Sequence, residues 1–529
     1  MKKGKKLVSA ALALTMAFSV GASAFAVSAA EAEEPAYTPT YNDRVTEEKT
    51  QELISFLDTT VDGLLWGSYG NTVVNEILGL LASLPGSLQT AAFWQGVDSE
   101  VFAGLTDPVS ADSMKAYLAE HPMAASTGAD VVASLEKVLP DALYEVFAMP
   151  GTDLVAILPP SILEDPNTGG MISMLAGMYD GGPLLGLALA MLASDALTGI
   201  DNLVEALNIE HGDSDIATIF AEMANLQTQE DKSIYESYAQ SATDYVMGVV
   251  KALVPNTIDK VLSVVKTYSN NQAAVLSALT ETLGGLTGLV GMIDANIGAT
   301  ITSINDMLKA HAVDTDVQAV DEEGTPAVDD EGNPVYEQVL DLDGLVNQLL
   351  VDNGVGAFVA VVADGEESTA MLKLSSINDL IASIADEGVD SSADVLMVAY
   401  NYLYDNLFGN ESNKTALMNV LNLLPSLLPS LGLDQSIVDT INSILPSLPA
   451  MIDELTANGP LGLLDTVMVM LGILEDPSAV PPTEPTQPGT DGGDNTNPGT
   501  GDAMFAVVAG AGVLAAGAVL VLAKKRKAD

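Results

Sequence analysis

The sequence predicts a mainly α protein: a multi-helix bundle or irregular helical array with a small acidic β-hairpin excursion and one C-terminal transmembrane helix. Three observations carry that expectation. Apolar residues recur at helical spacing along most of the chain. The pattern stops at residues 313–345, where glycine, proline and carboxylates take over. The run 503–523 is uncharged and mostly apolar from end to end.

The chain opens on Met1-Lys2-Lys3-Gly4-Lys5-Lys6, continues through apolar Leu7–Val20, and reaches Ala24-Phe25-Ala26. A basic start, a short apolar core and two small residues flanking a third form the pattern of an export signal. Cleavage is expected after Ala26, with Ala24 and Ala26 as the small pair and Ala29 or Ala30 as fallback positions. The apolar core is short for an uncleaved membrane anchor, the competing reading. Residues 27–43 are small, acidic and proline-containing, and are expected to be disordered.

Residues 44–312 read as a helical region. Leu53, Phe56, Leu57, Val61, Leu64 and Leu65 fall on one helical stripe, and Ile297, Ile301, Ile304 and Leu308 on another. Asp107-Pro108, Pro140, Pro159-Pro160, Gly181-Gly182-Pro183 and Pro255-Asn256 punctuate the pattern, which predicts medium helices joined by short turns. The uncharged stretch Gly181–Ser194 is too short for a membrane span and contains Pro183, so a buried core helix is expected there.

In residues 313–345 the phrase Val320-Asp321-Glu322-Glu323-Gly324-Thr325-Pro326 is echoed by Val328-Asp329-Asp330-Glu331-Gly332-Asn333-Pro334. Glycine and proline make each copy turn-like, and Val335–Leu342 alternates as a strand does, so a small acidic β-hairpin is predicted. Residues 346–475 return to helical spacing, interrupted by a strand candidate at Ala357–Val362. Leu78–Leu84 resembles Leu421–Leu427, and each follows an aromatic-glycine pair, Trp66-Gly67 or Phe408-Gly409. A duplicated helix-turn-helix unit and leucine-rich coincidence both account for this, because no constant period emerges.

Residues 476–496 are rich in Pro, Thr, Gly and Asp with almost no apolar content, the composition of an extended stalk. Asn497-Pro498-Gly499-Thr500-Gly501-Asp502 follows, then the run Ala503–Ala523. At ~1.5 Å per helical residue that run reaches ~30 Å, one hydrocarbon thickness. Lys524-Lys525-Arg526-Lys527 comes next, and the positive-inside tendency keeps it cytoplasmic, so everything before residue 503 faces outward.

Asn497 to Gly501, the apolar run and the basic cluster together resemble the cell-wall sorting signal of Gram-positive surface proteins, usually written Leu-Pro-x-Thr-Gly. The resemblance implies that a sortase cysteine attacks the Thr500 carbonyl and cuts the Thr500-Gly501 bond. A peptidoglycan cross-bridge amine then resolves the thioacyl enzyme into an amide. It thus names sortase and peptidoglycan as partners, with the membrane a partner before processing and the cell-wall surface as the location. Asn497 stands where leucine is usual. The resemblance covers about the last thirty residues and an N-terminal signal, with a plain C-terminal membrane anchor as the alternative.

Composition narrows what the body does. Cysteine is absent from all 529 residues, which excludes disulfides, thiolate metal sites and a cysteine nucleophile. Hydrophobic residues make up 48%, enough for sizeable cores. The chain holds 19 Lys and Arg against 72 Asp and Glu. Removing both processed ends takes away eight basic residues together with Asp502 and Asp529, which leaves 11 basic against 70 acidic residues, a net charge of −59, with Arg44 as the one arginine. Nucleic acid is excluded as a ligand, since its affinity comes largely from Lys and Arg neutralising phosphates. Such charge suits a solvated, self-repelling surface or a surface for cations and basic partners.

Motifs for chemistry are missing. There is no Gly-x-Ser-x-Gly elbow, no His-Glu-x-x-His and no P-loop, and Gly354-Val355-Gly356 lacks a third glycine. His121, His211 and His311 are about a hundred residues apart, which rules out paired histidine ligands at helical spacing. Aligning Gly324, Gly332 or Gly344 to the EF-hand glycine puts Ala319, Ala327 or Val339 at its first ligand position. No catalytic residue, cofactor or metal site is therefore assigned. The expected role is non-enzymatic adhesion, binding or structure, and the alternative is an anchored hydrolase of glycans or peptides. The aromatic content of 5%, with Trp66 and Trp94 the two tryptophans, offers few stacking platforms for sugars.

Overall fold

A computed structural model describes residues 39–478, except 124, 158–168, 171–173, 175–182, 184, 227–232, 294, 321–324, 329–331, 353–355, 364–366, 428–456 and 458. Helices dominate. α1 (Glu47–Leu81), α2 (Ala91–Val97), α3 (Ala111–Glu120), α4 (Gly128–Phe147), α5 (Gly151–Ile157), α6 (Leu185–Leu192), α7 (Ser194–Ala206), α8 (Ile216–Ala224) and α9 (Ser233–Lys251) come first. α10 (Thr257–Asn270), α11 (Gln272–Ile293) and α12 (Ala295–Ala310) lead into β1 (Ala312–Gln318) and β2 (Tyr336–Leu340). Then come α13 (Leu342–Asp352), β3 (Val359–Val362), β4 (Leu372–Ser375), α14 (Ile377–Ala385), α15 (Ser392–Leu403), a π-helical turn (Tyr404–Phe408), α16 (Glu411–Leu427) and α17 (Gly459–Met470). The protein is mainly α, as its apolar spacing predicts. Among the described residues no helix is long and apolar enough to cross a membrane; the run 503–523 lies outside them.

The chain divides into two compact units. One comprises Thr50–Leu345 and Ile377–Val398; the other comprises Thr40–Lys49, Val346–Ser376 and the described residues from Ala399 onward.

Two apolar clusters of described residues lie in the larger unit. In the first, Leu78, Leu88, Trp94, Phe102, Met114, Leu118 and Val138 are fully buried, with the Trp94 and Phe102 rings 5.5 Å apart. The second gathers Phe147, Ile219, Phe220, Tyr235, Tyr245 and Val249, with Phe147 edge-on to Phe220 at 5.7 Å. α4 supplies Val131, Leu135 and Val138 to the first and Phe147 to the second, while α9 supplies Met247 to the first and Tyr235 and Tyr245 to the second. This packed pair joins the two clusters. Burying a large apolar side chain is worth roughly 1.5–3 kcal/mol, so both helices are held from two sides.

Carboxylates tie distant segments together by capping helices. Asp58 on α1 accepts hydrogen bonds from the Ile258 and Asp259 amides at the start of α10, at 2.7 and 3.2 Å. Asp201 does the same for Ile216 and Ala217 at the start of α8, at 3.0 and 2.9 Å, and Asp343 for Ile377 and Asn378 at the start of α14, at 2.7 and 3.3 Å. The first amides of a helix have no intrahelical acceptor, and a carboxylate both satisfies them and complements the helix dipole. Part of the acidic excess is therefore structural.

The acidic hairpin forms, with β1 antiparallel to β2 and Ala312 opposite Leu340. Each copy of the repeated phrase closes in an antiparallel bridge, Val320 with Pro326 and Val328 with Pro334. The strand is shorter than predicted, because helix α13 begins at Leu342 and absorbs the end of the 313–345 segment. Other expectations need correction. Pro140 does not separate helices but lies inside α4. Leu65 and Ile304 are exposed, whereas Ile54 and Asn305, which lie off the predicted stripes, are buried. Gly181–Ser194 yields the eight-residue α6, with 181, 182 and 184 outside the described residues. Trp66-Gly67 lies in unbroken α1 while Phe408-Gly409 ends a π-helical turn, so the two similar phrases do not share a local structure.

In the smaller unit β3 and β4 form a parallel pair, a strand the sequence reading missed in β4. Its edges are closed by asparagines. Asn347 donates to the Val361 carbonyl at 2.7 Å and accepts from the Val361 amide at 2.9 Å, while Asn413 donates to Lys373 O at 2.5 Å. Arg44 pairs with Asp465 at 2.6 Å and donates to the Glu475 carbonyl at 3.0 Å, which ties the 40–49 segment to α17. Of the residues expected to be disordered, Asn42 instead closes a turn by accepting from the Arg44 and Val45 amides, and 27–38 lie outside the described residues.

Candidate functional site

The residues expected to be processed, Ala24 and Ala26 at one end and Asn497, Pro498, Gly499, Thr500 and Gly501 at the other, lie outside the described residues. Within the described body the feature with the geometry of a site is a groove along α4 and α9. These helices run antiparallel in their pairing: Glu136 in the middle of α4 meets Lys251 at the end of α9, with Nζ 2.5 Å from Oε1. Near the other end Tyr144 lies within the field of Glu236. Glu136, Pro140 and Tyr144 are four residues apart on α4, and Glu236, Gln240, Asp244, Gly248 and Lys251 follow the same face of α9.

Two cavities adjoin at Pro140 and Gln240. The larger, about 760 Å³, lies between α4, α9, α10 and the loop 207–212. Its apolar lining includes Leu207, Ile209, Met247 and Val264, and its charged lining consists of Glu136, Glu210, Asp244, Lys251 and Lys260. Asp244 accepts from Gln240 Nε2 at 2.8 Å. With Lys251 taken by Glu136, Lys260 has no carboxylate partner among the described residues. The smaller cavity, about 540 Å³, lies against α2 and is lined by Phe93 and Tyr144 with Asp141, Glu145 and Glu236. Burial, then the negative charges of Glu145 and Glu236, push the Tyr144 phenol above its ordinary pKa.

The wall made by residues 207–212 is shaped by backbone. Asn208 and Gly212 take left-handed conformations, with φ of 52° and 87°. Gly248 lets this loop lie on α9: a Cβ there would sit 2.1 Å from the Glu210 carbonyl oxygen. Behind the wall, His211 packs against Tyr245, with ring centroids 4.9 Å apart, and His211 Nδ1 is buried without a hydrogen bond among the described residues. The Tyr245 hydroxyl neighbours the Asp201 carboxylate without making a hydrogen bond of ordinary geometry. Burial raises the pKa of both groups; the Asp201 charge adds to the rise at Tyr245, and the amide hydrogen bonds temper it at Asp201.

The structure brings none of the histidines together in the groove. His121 is the C-cap of α3 and stacks on Tyr117, and His311 accepts the Asp341 amide through its carbonyl at 2.7 Å. Trp94 is a core residue whose Nε1 donates to the Leu88 carbonyl at 2.8 Å, and Trp66 packs against the same core. Among the described residues no group of three His, Asp or Glu side chains is placed to hold a metal ion. Sequence reasoning singled out Pro140 only as punctuation and missed the other groove residues. The available signal was the closeness of Lys251 and Lys260 in a lysine-poor chain, together with four-residue spacing of polar side chains on α9.

Comparison with protein-family models, with characterised proteins and with solved structures returns no match to this chain.

Proposed function

We propose that the chain is exported, displayed on the outer face of a Gram-positive cell and joined to peptidoglycan through Thr500, with its helical body serving as a non-enzymatic binding module. The observation that carries this reading is the order of its signals. A basic-apolar-small leader, a large body, a Pro/Thr/Gly-rich stalk, Asn497–Gly501, an apolar run and a basic cluster follow one another as sortase processing requires. The apolar run stops translocation with the Thr500-Gly501 peptide just outside the bilayer, where a membrane-bound transpeptidase meets it. Pro498 fixes its own φ and restrains Asn497, which favours an extended or kinked peptide for a binding groove.

A binding role is supported by the charge and by the site. Repulsion within a strongly acidic surface keeps a tethered body solvated and apart from its neighbours. The groove has converging polar groups, as recognition needs. The test is cell fractionation with the full-length chain. Wild type is expected in the fraction released by wall digestion and Thr500→Ala in the membrane fraction; equal partition of the two contradicts covalent attachment.

A further inference from the structure

Helix α1 carries an apolar face that stays open to solvent. Leu65, Tyr69 and Val73 recur every four residues, which sets them on one side of the helix, and they are 36%, 60% and 38% exposed. Residues 63–75 hold no charged side chain, in a chain of which 17% is charged. Water is a poor solvent for such a face, and a partner with an equally uncharged face gains most by covering it.

The face reads the same from either end. Leu65 and Val73 lie four residues to either side of Tyr69, and Asp62 and Glu76 bound the charge-free stretch seven residues to either side. A second α1 laid antiparallel about a twofold axis at Tyr69 therefore sets Tyr69 on its own copy and Leu65 on Val73 of that copy. Pairing of identical faces requires this self-match, whereas recognition of a foreign ligand has no use for it. The same operation brings Asp62 of one copy toward Glu76 of the other, a like-charge approach that would oppose it. Both charges are already offset within their own body. Asp62 accepts from the Asn256 and Thr257 amides at the start of α10, at 2.9 and 3.4 Å, and Glu76 pairs with Lys115. Copies of a chain at −53 repel one another, so an uncharged face is where they approach at least electrostatic cost.

We infer that two copies of this chain associate through α1, antiparallel about a twofold axis at Tyr69. From Asp62 to Glu76 the helix rises about 21 Å at ~1.5 Å per residue. One helix face of that length falls at the small end of specific interfaces, so the association is weak and reversible. Copies tethered to one surface, as proposed above, meet at a raised effective concentration, which suits a weak contact. The inference goes beyond the reading of the body as a binding module and holds whether or not the chain is joined to the wall.

The test exploits the absence of cysteine from the chain. Single-cysteine variants of the full-length chain are oxidised with copper phenanthroline, and disulfide-linked dimer is followed on non-reducing gels. With helix axes about 8–10 Å apart, the Cα of residue 69 lies roughly 4–6 Å from its copy, within disulfide reach, whereas residue 65 is displaced from its own copy by about 12 Å along the axis. Tyr69→Cys is expected to link at least about tenfold faster than Val328→Cys, whose site on the acidic hairpin is as exposed, at 59%. Leu65→Cys and Val73→Cys should each link slowly alone and quickly when mixed. Leu65→Asp added to Tyr69→Cys should slow linkage about tenfold, since it sets a charge against an apolar side chain of the second copy. Tyr69→Cys linking no faster than Val328→Cys would overturn the proposal. So would Leu65→Cys linking alone as fast as Tyr69→Cys, the mark of copies brought together in another register or by another segment.

Discussion

Asp98 and Asp201 show how one residue type does opposite work in this protein. At Asp98 burial alone would raise the carboxyl pKa. The Lys137 ammonium and the amides of Val101 and Glu100 outweigh it and hold the group below its ordinary value. A depressed folded pKa contributes stability that is present above the unfolded value and lost as pH falls through the folded one. Asp98→Ala should therefore cost about 1–3 kcal/mol in urea unfolding at pH 7, and that cost should shrink below about pH 4. At Asp201 burial dominates and the folded pKa is raised, so the sign reverses: its contribution is full below the unfolded pKa and is lost as pH rises through the folded one. Asp201→Asn keeps an acceptor for Ile216 or Ala217 but does not titrate. The stability of this variant relative to wild type is expected to increase from pH 4 to pH 7 in paired urea titrations. Local caps such as Thr127 with Asp130 are legible in the sequence because acceptor and amide are three residues apart. The Asp58 cap on Ile258 is not, because the partners are 200 residues apart and nothing local marks them.

Among the elements, helices were legible where apolar spacing was regular, and errors fell where one residue outweighed the pattern. Pro140 reads as a breaker, yet α4 continues through it because Val131, Leu135, Val138 and Phe147 bury the helix on both sides of the proline. That packing offsets the roughly 3 kcal/mol a proline costs inside a helix. Ile304 sits on a predicted stripe and is exposed, while Asn305 one position on is buried; a stripe fixes the period of a helix and leaves the exact face to packing. The repeated acidic phrases were legible as turns because glycine and proline recur at the same offsets, and both copies close alike. The groove was not legible, since its two main walls are separate helices, α4 ending at Phe147 and α9 beginning only at Ser233. One element-level test addresses its wall. Gly248→Ala places a Cβ 2.1 Å from the Glu210 carbonyl oxygen and 2.6 Å from His211 Cα, so loop 207–212 must move. The expected cost is about 1–3 kcal/mol, measured by thermal unfolding, whereas Gly96→Ala on α2, where a Cβ meets nothing within 4 Å, should be stability-neutral or better.

At the scale of the whole molecule, charge and signal order govern behaviour. A chain at −53, or −59 with both ends removed as proposed, repels itself, and salt screens that repulsion within about 10 Å at 0.1 M. The melting temperature is accordingly expected to rise as sodium chloride is raised from about 0.01 to 0.3 M; a flat or falling curve would mean that paired charges outweigh like-charge repulsion. The proposed display on the wall rests on the two ends, legible because export, arrest in the bilayer and transpeptidation each demand a particular composition in a particular order. The ligand belongs to the body, where no such rule applies. The most direct measurement is mass spectrometry of peptides released by digesting purified cell wall. The account predicts a fragment ending at Thr500 whose carboxyl is amide-linked to a cross-bridge amine, with residues 501–529 missing; an intact chain through Asp529 in that fraction would contradict it.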